Sequence, residues 1–338
     1  MAENSFFHEV HLELEAKLVP SGAWKLPLFY PGGSVAEHRH TVSSASLFDL
    51  SGTGCYQLTG KAVGKVLDKL FVYPVSALAV GGTMENILLY ENGNFAAMFT
   101  LNRMQDEDFM LQLDRNTPAK ERDFLVQTME KNKVSVRDLS GAMAMLALLG
   151  PESGNILKSA GAQELPEKGM WKMITVTDDE GDSFRAIAVY HERFGLEGFD
   201  LCVNPDNAVE FYGALYRING VAPAGTGAWE SLRIESGTPG AASELHRDIS
   251  PAECGIGTPG VPANSRLVMI ESDRYAALPG SVVKNAAGIA VGVVTSGAYC
   301  PVAARARMFC RMENGAADAA GKNLLITVNG RDIPAILL

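Results

Sequence analysis

The chain has 338 residues, 47% of them hydrophobic and 20% charged, and a formal net charge of −10. That length is too great for one core and predicts two or three domains. No charge-free stretch is long enough for a membrane-spanning helix, and an acidic excess without a basic block argues against a nucleic-acid partner, whose phosphates need clustered Lys and Arg. The opening MAENSFFHEVHLELEAK is acidic where a secretory leader would have a basic end and an apolar core, so a cytoplasmic protein is expected. Cys55, Cys202, Cys254, Cys300 and Cys310 form no CxxC pair, and buried reduced thiols are expected rather than disulfides or a zinc ribbon. No metal site is expected, since the histidines of His38-Arg39-His40 are spaced i and i+2 and share no helical face.

In chain order, Lys61 to Leu70 places Val63, Val66, Leu67 and Leu70 on one helical face. Ile87 to Tyr90 reads as a strand entering a turn at Glu91-Asn92-Gly93-Asn94, with a second arm from Phe95. Phe109 to Leu113 alternates as a strand, and Asn116-Thr117-Pro118 supplies a cap and a first-turn proline for a helix ending near Lys133. This order predicts a split βαβ unit. Glu152 to Ala160 predicts a short helix. Trp171 to Tyr190 predicts two strands around Asp178-Asp179-Glu180-Gly181-Asp182, a solvated hairpin tip lacking the ligand spacing of an EF-hand. Pro205 to Ile218 predicts a helix with Ala208, Phe211, Tyr212 and Leu215 inward. Leu267 to Ile270, Ile289 to Thr295, Ala306 to Arg311 and Leu324 to Val328 predict the strands of a small terminal β-barrel.

Several landmarks occur in one family's order. His11, Ala16, Lys17, Trp24, Pro27, Leu28 and Tyr30 precede Glu37-His38 and the pair Phe48-Asp49. Val136 to Ser140 leads into Met145 to Pro151, Leu232 to Gly237 precedes Asp248-Ile249-Ser250-Pro251, and Thr295-Ser296-Gly297 and Pro301 follow. This run resembles the glycine cleavage T-protein, a folate-dependent aminomethyltransferase family, from about residue 5 to the C-terminus. The resemblance implies an α+β, three-domain cloverleaf: a discontinuous folate-binding domain at 1–52 and 139–250, an inserted split-βαβ (ferredoxin-like) domain at 53–138, and a C-terminal β-barrel at 251–338. It further implies tetrahydrofolate as the bound cofactor, held centrally, and either a small amine or a lipoylated carrier protein as donor.

The positions that carry the family's chemistry are altered. The catalytic Asp of a GGxID-like loop aligns with Ala97, and no acidic residue lies between Glu91 and Asp106. A carboxylate there would stabilise a cationic amine, so its loss costs orders of magnitude in rate. Against the family's GYTGExGxE segment stands Glu192 to Asp200: without a gap Leu196 takes the pterin-binding Glu position, and with one deletion Glu197 takes it and Phe194 replaces the Tyr. The Arg that would open the helix near Gly225 is Trp229, which either stacks on a folate ring or belongs to the core. Glu85 stands at a Tyr, Thr53 at a Met, Val42 at an Arg and Ala241 at a Tyr. Arg233 and Glu235 read as structural ion-pair residues, and His191 beside Glu192 points away from it if both lie on a strand. Gly237 to Glu244 lacks the Cys and Lys of the branch that supports iron–sulfur cluster assembly. Two functions follow as expectations: a transferase with changed site residues, lining its pocket with Glu85, Phe194, Glu197 and Trp229, or a folate-binding or regulatory protein without turnover.

Overall fold

In the computed structural model, residues 2–257, 263, 265–316, 321–328 and 330–338 are described. The chain divides into two compact units, one of Met1–Leu88 with Ala97–Trp229 and one of Leu89–Ala96 with Glu230–Leu338.

The first unit is built on a six-stranded sheet in the order Trp171–Thr177, Ser183–Tyr190, Gly198–Val203, Ala144–Leu149, Ala45–Asp49, Val221–Ala224. Side chains alternate across a pleated sheet. One face presents Leu47, Leu146, Leu148, Phe199, Leu201 and Val203 to a core completed by Phe7, Ile156, Leu157, Phe211, Tyr212 and Leu215. The predicted inner residues of the Pro205 to Ile218 segment are all buried, although a 3-10 turn, Pro205–Asn207, precedes the helix Ala208–Tyr216. The opposite face carries a row in register, Val189, Asp200, Ala147, Phe48 and Ala224.

A five-stranded sheet runs in the order Thr83–Leu89, Phe95–Gln105, Asp108–Leu113, Cys55–Thr59, Ser135–Asp138. With the helices Val63–Leu70 and Ala119–Lys131 it forms the predicted split βαβ, extended by one edge strand. The Glu91 to Asn94 turn closes as expected, with Gly93 at φ 84° and Tyr90 N–H donating to Asn94 O at 2.9 Å. Asn116 departs from its predicted role. It takes φ 66° in the turn, and Pro118 occupies the N-cap without a side-chain hydrogen bond.

In the second unit, six strands close a barrel, Ser265–Ser272, Arg305–Glu313, Ala290–Cys300, Val282–Asn285, Asn323–Val328 and Arg331–Leu337. Its interior holds Ile270, Val283, Val294, Met308, Cys310, Met312, Leu324 and Ile326. Val282–Asn285 and Arg331–Leu337 have no counterpart among the predicted strands; the first is only four residues long and the second contains Pro334, so neither has a clear period. Arg233, read from the sequence as a structural ion-pair residue, is buried and donates to Glu244 at 3.0 Å and to Ser296 at 3.1 Å. The five cysteines are free thiols, and all but Cys254 are fully buried. Among the described residues no helix is long and apolar enough to cross a membrane, and no group of three or more His, Cys, Asp or Glu gathers as a metal site.

Candidate functional site

The face of the six-stranded sheet that carries Asp200 and Phe48 bears a cluster of charge and aromatic surface within the first unit. The helix Thr226–Ser236 brings Trp229 to it. Gly225 fixes where that helix starts: its N–H donates to the buried Glu37 carboxylate at 3.0 Å, and a Cβ there would lie 2.4 Å from Leu28 O, so only glycine fits. The Trp229 ring meets Phe48 edge-on at 5.3 Å, and the Arg115 and Arg193 guanidiniums lie 5.4 Å from its centroid.

Phe194 closes the cluster, 5.1 Å from Trp229 at 87°. It occupies a two-residue turn in which Arg193 N–H donates to Leu196 O at 3.0 Å and Leu196 N–H to Arg193 O at 2.8 Å. Both central residues are left-handed, Phe194 at φ 56° and Gly195 at φ 73°. Asn or Gly ordinarily takes the first such position, so Phe194 holds a strained backbone beside an aromatic contact.

The same loop sets out a line of charges from interior to surface. Asp200, 3% exposed at its side chain, accepts two hydrogen bonds from Arg193, that from Nη2 at 2.8 Å. Its Oδ2 also lies 3.2 Å from His191 Nδ1, and His191 Nε2 lies 3.3 Å from Glu85 Oε1. His191 is 12% exposed and Glu85 60%. Burial alone would raise the Asp200 carboxyl, but Arg193 and His191 hold it well below the carboxylate range. Burial and Arg193 push the His191 imidazole down, yet the Asp200 charge and the hydrogen bonds to Asp200 and Glu85 leave it above its ordinary value. The hydrogen bond from His191 lowers Glu85.

The structure therefore brings together three of the residues singled out from sequence, Phe194, Trp229 and Glu85, the last by way of His191, Asp200 and Arg193. Glu197 is exposed and turns elsewhere, toward the helix Ser153–Ser159, where a Cβ on Gly154 would sit 2.9 Å from its Oε1. Trp229 is only 5% exposed, so a ring stacking on it would have to displace a guanidinium. Ala97 is 3% exposed in the strand Phe95–Gln105. His191, Arg193, Asp200 and Arg115 were not singled out as a unit. The signal available was Asp200 itself, the one charge in the apolar strand Gly198–Val203, which demands a buried partner. A cleft of about 740 Å³ on the barrel, lined by Asp273, Arg274, Tyr299 and Arg305, contains none of these residues.

Residues 7–259 match the model of the GCVT N-terminal domain. The chain is 28% identical to the aminomethyltransferase of Bacillus pumilus over 72% of its length, a match spanning 66% of that relative. It is 30% identical to that of Bacillus licheniformis over 76% of this chain and 70% of the relative. The aminomethyltransferase of Saccharopolyspora erythraea is 26% identical over 97% of this chain and 94% of its own. The crystal structure of the glycine cleavage system aminomethyltransferase T from Bartonella henselae superposes with a TM-score of 0.84 at 22% identity, covering 100% of this chain and 97% of that one, and so shares its α+β fold. The chain belongs to the glycine cleavage T-protein family of aminomethyltransferases.

Proposed function

We propose that this protein binds tetrahydrofolate beside Phe194 and transfers a one-carbon unit to or from it. The donor would be a small amine or an aminomethyl group on a lipoylated carrier protein, with the cytoplasm as the compartment. The observation that carries this reading is the strained Phe194 turn laid against Trp229, in the segment where the family resemblance locates pterin binding. The residues present suit such a ligand. Phe194 offers a half-buried apolar edge, and the exposed carboxylate of Glu85 is an acceptor for ring N–H donors. Bound folate would supply the nitrogen that carries the carbon; the chain's own part is to orient it and to place charge beside it. The lobes proposed for this arrangement remain 1–52 with 139–250, 53–138 and 251–338, a division supported by the two sheets and the barrel.

Ala97 favours a second reading, a folate-binding or regulatory protein without turnover on the canonical substrate. A buried methyl group stands where the resemblance implies the catalytic carboxylate, and loss of a positioned charge typically costs about 10²–10³ in rate. Equilibrium titration with tetrahydrofolate, followed by single-turnover assays with aminomethylated carrier protein, separates the two. Binding with slow turnover supports the transferase reading, and binding with no turnover the second. Absence of binding overturns both.

A further inference from the structure

We propose that Glu85, backed by His191 and Asp200, is a pH-gated site for the protonated amino group of a ligand, which on entering displaces the proton held by His191. The inference deepens the reading above by naming an ammonium as the group recognised, but it stands on the cluster's geometry and does not require folate to bind.

The charge arrangement carries it. The groups facing His191 are Asp200 from the strand Gly198–Val203, Arg193 from the turn, and Glu85 from the strand Thr83–Leu89. Its sequence neighbour Glu192 is engaged elsewhere, with Lys168 at 2.6 Å. When His191 is protonated, Arg193 and His191 balance Asp200 and Glu85, and the cluster is neutral. When His191 loses its Nε2 proton, the cluster carries one negative charge. That charge falls at the outer end of the line, because Arg193 holds Asp200 in two hydrogen bonds at 3% exposure while Glu85 is 60% exposed and, among the described residues, its carboxylate is hydrogen-bonded to His191 alone. A cation arriving at Glu85 restores neutrality.

A carboxylate that is accessible at its edge selects among cations by hydrogen bonding as well as charge. A primary ammonium donates up to three hydrogen bonds, whereas a quaternary ammonium donates none. The exchange balances: one R–NH₃⁺ enters, one proton passes from His191 Nε2 to solvent, and no bond within the ligand changes. Proton and ammonium compete for the same carboxylate, so each must weaken the other by the same factor. Asp200 acts here as a positioning residue, holding the imidazole by Nδ1.

The test is an NMR titration of the His191 imidazole in the full chain, assigned through the backbone, with methylammonium chloride and with tetramethylammonium chloride at equal concentration. When methylammonium equals its dissociation constant, the His191 midpoint should fall about twofold in proton affinity, ~0.3 pH unit, while tetramethylammonium leaves it unchanged. Glu85→Gln, at an exposed position where the fold is retained, should lower the midpoint itself and abolish the methylammonium response. An equal response to both salts, a response that survives in Glu85→Gln, or no response at all overturns the proposal. Tetrahydrofolate binding, measured separately, bears on the ligand reading alone.

Discussion

Two histidine–aspartate pairs occupy opposite faces of one sheet, and they differ in how the line of polar groups ends. Asp49 and Asp200 stand on the strands either side of Ala144–Leu149, opposite Leu146 and Ala147 respectively, and so project to opposite faces. On the core face His11 Nε2 lies 2.9 Å from Asp49 and His11 Nδ1 2.9 Å from Tyr30 Oη, with all three residues buried. Burial is the main reason the Tyr30 hydroxyl is pushed far above its ordinary range, so it remains a neutral donor. On the other face the corresponding line runs from buried Asp200 through His191 to exposed Glu85. The same pair of residue types thus forms a closed structural joint in one place and an open, titratable edge in the other.

The largest effect is expected from breaking the closed pair. His11→Ala leaves Asp49 buried without its main partner and should cost about 3–5 kcal/mol in denaturant unfolding, the usual penalty for an uncompensated buried charge. A loss below ~1 kcal/mol would mean that the core face tolerates the charge and that the contrast between faces is false. Asp200→Asn is next, at about 2–4 kcal/mol, because it strips Arg193 and His191 of a shared counterion. It should also lower the His191 midpoint, which an NMR titration reads independently of stability.

Acid should weaken both faces. Burial opposes ionisation of Asp49 and Asp200, but the hydrogen bonds from His11 and Ser51 to Asp49, and the charges and hydrogen bonds of Arg193 and His191 at Asp200, depress both below the ordinary carboxylate value. Their contribution is therefore complete above about pH 4 and lost as pH falls through the folded-state values. His191 has the opposite sign. Its raised value adds stability below about pH 6.5 that disappears as pH rises through the folded midpoint. His191→Asn should flatten that alkaline limb in unfolding measured across pH, and an unchanged limb would show that the open pair does not titrate there. The smallest stability effect belongs to Glu85→Gln, within about 0.5 kcal/mol because the pair is exposed at its outer end. A loss of several kcal/mol there would make Glu85 a structural residue like Asp49.

Much of the architecture could be read from the chain because it rests on local periodicity. The faces of Val63–Leu70 and Ala208–Tyr216, the Asn92-Gly93 hairpin and four barrel strands each carry their own signal. The barrel strands at 282–285 and 331–337 do not, since their pairing is set by closure with distant strands. The site divides in the same way. Phe194 and Trp229 stood in recognisable segments and meet in space. The joining of Glu85 to His191 spans 106 residues of sequence and depends on how separate strands are placed, so no spacing rule could show it. Glu197 and Leu196 illustrate the remaining limit: periodicity does not choose between a gapped and an ungapped alignment, and the direction of each side chain is set by the loop's geometry, which turns Glu197 toward Gly154.

The most direct measurement is the dissociation constant of tetrahydrofolate for the unaltered chain and for Phe194→Ala and Glu197→Ala, each with its unfolding midpoint checked. A site beside Trp229 predicts measurable binding that Phe194→Ala weakens at least about tenfold, equivalent to ~1.4 kcal/mol, with Glu197→Ala having the smaller effect. Binding unaffected by Phe194→Ala, or weakened only by Glu197→Ala, would place the ligand elsewhere and contradict the assignment of the site to the open face of the sheet.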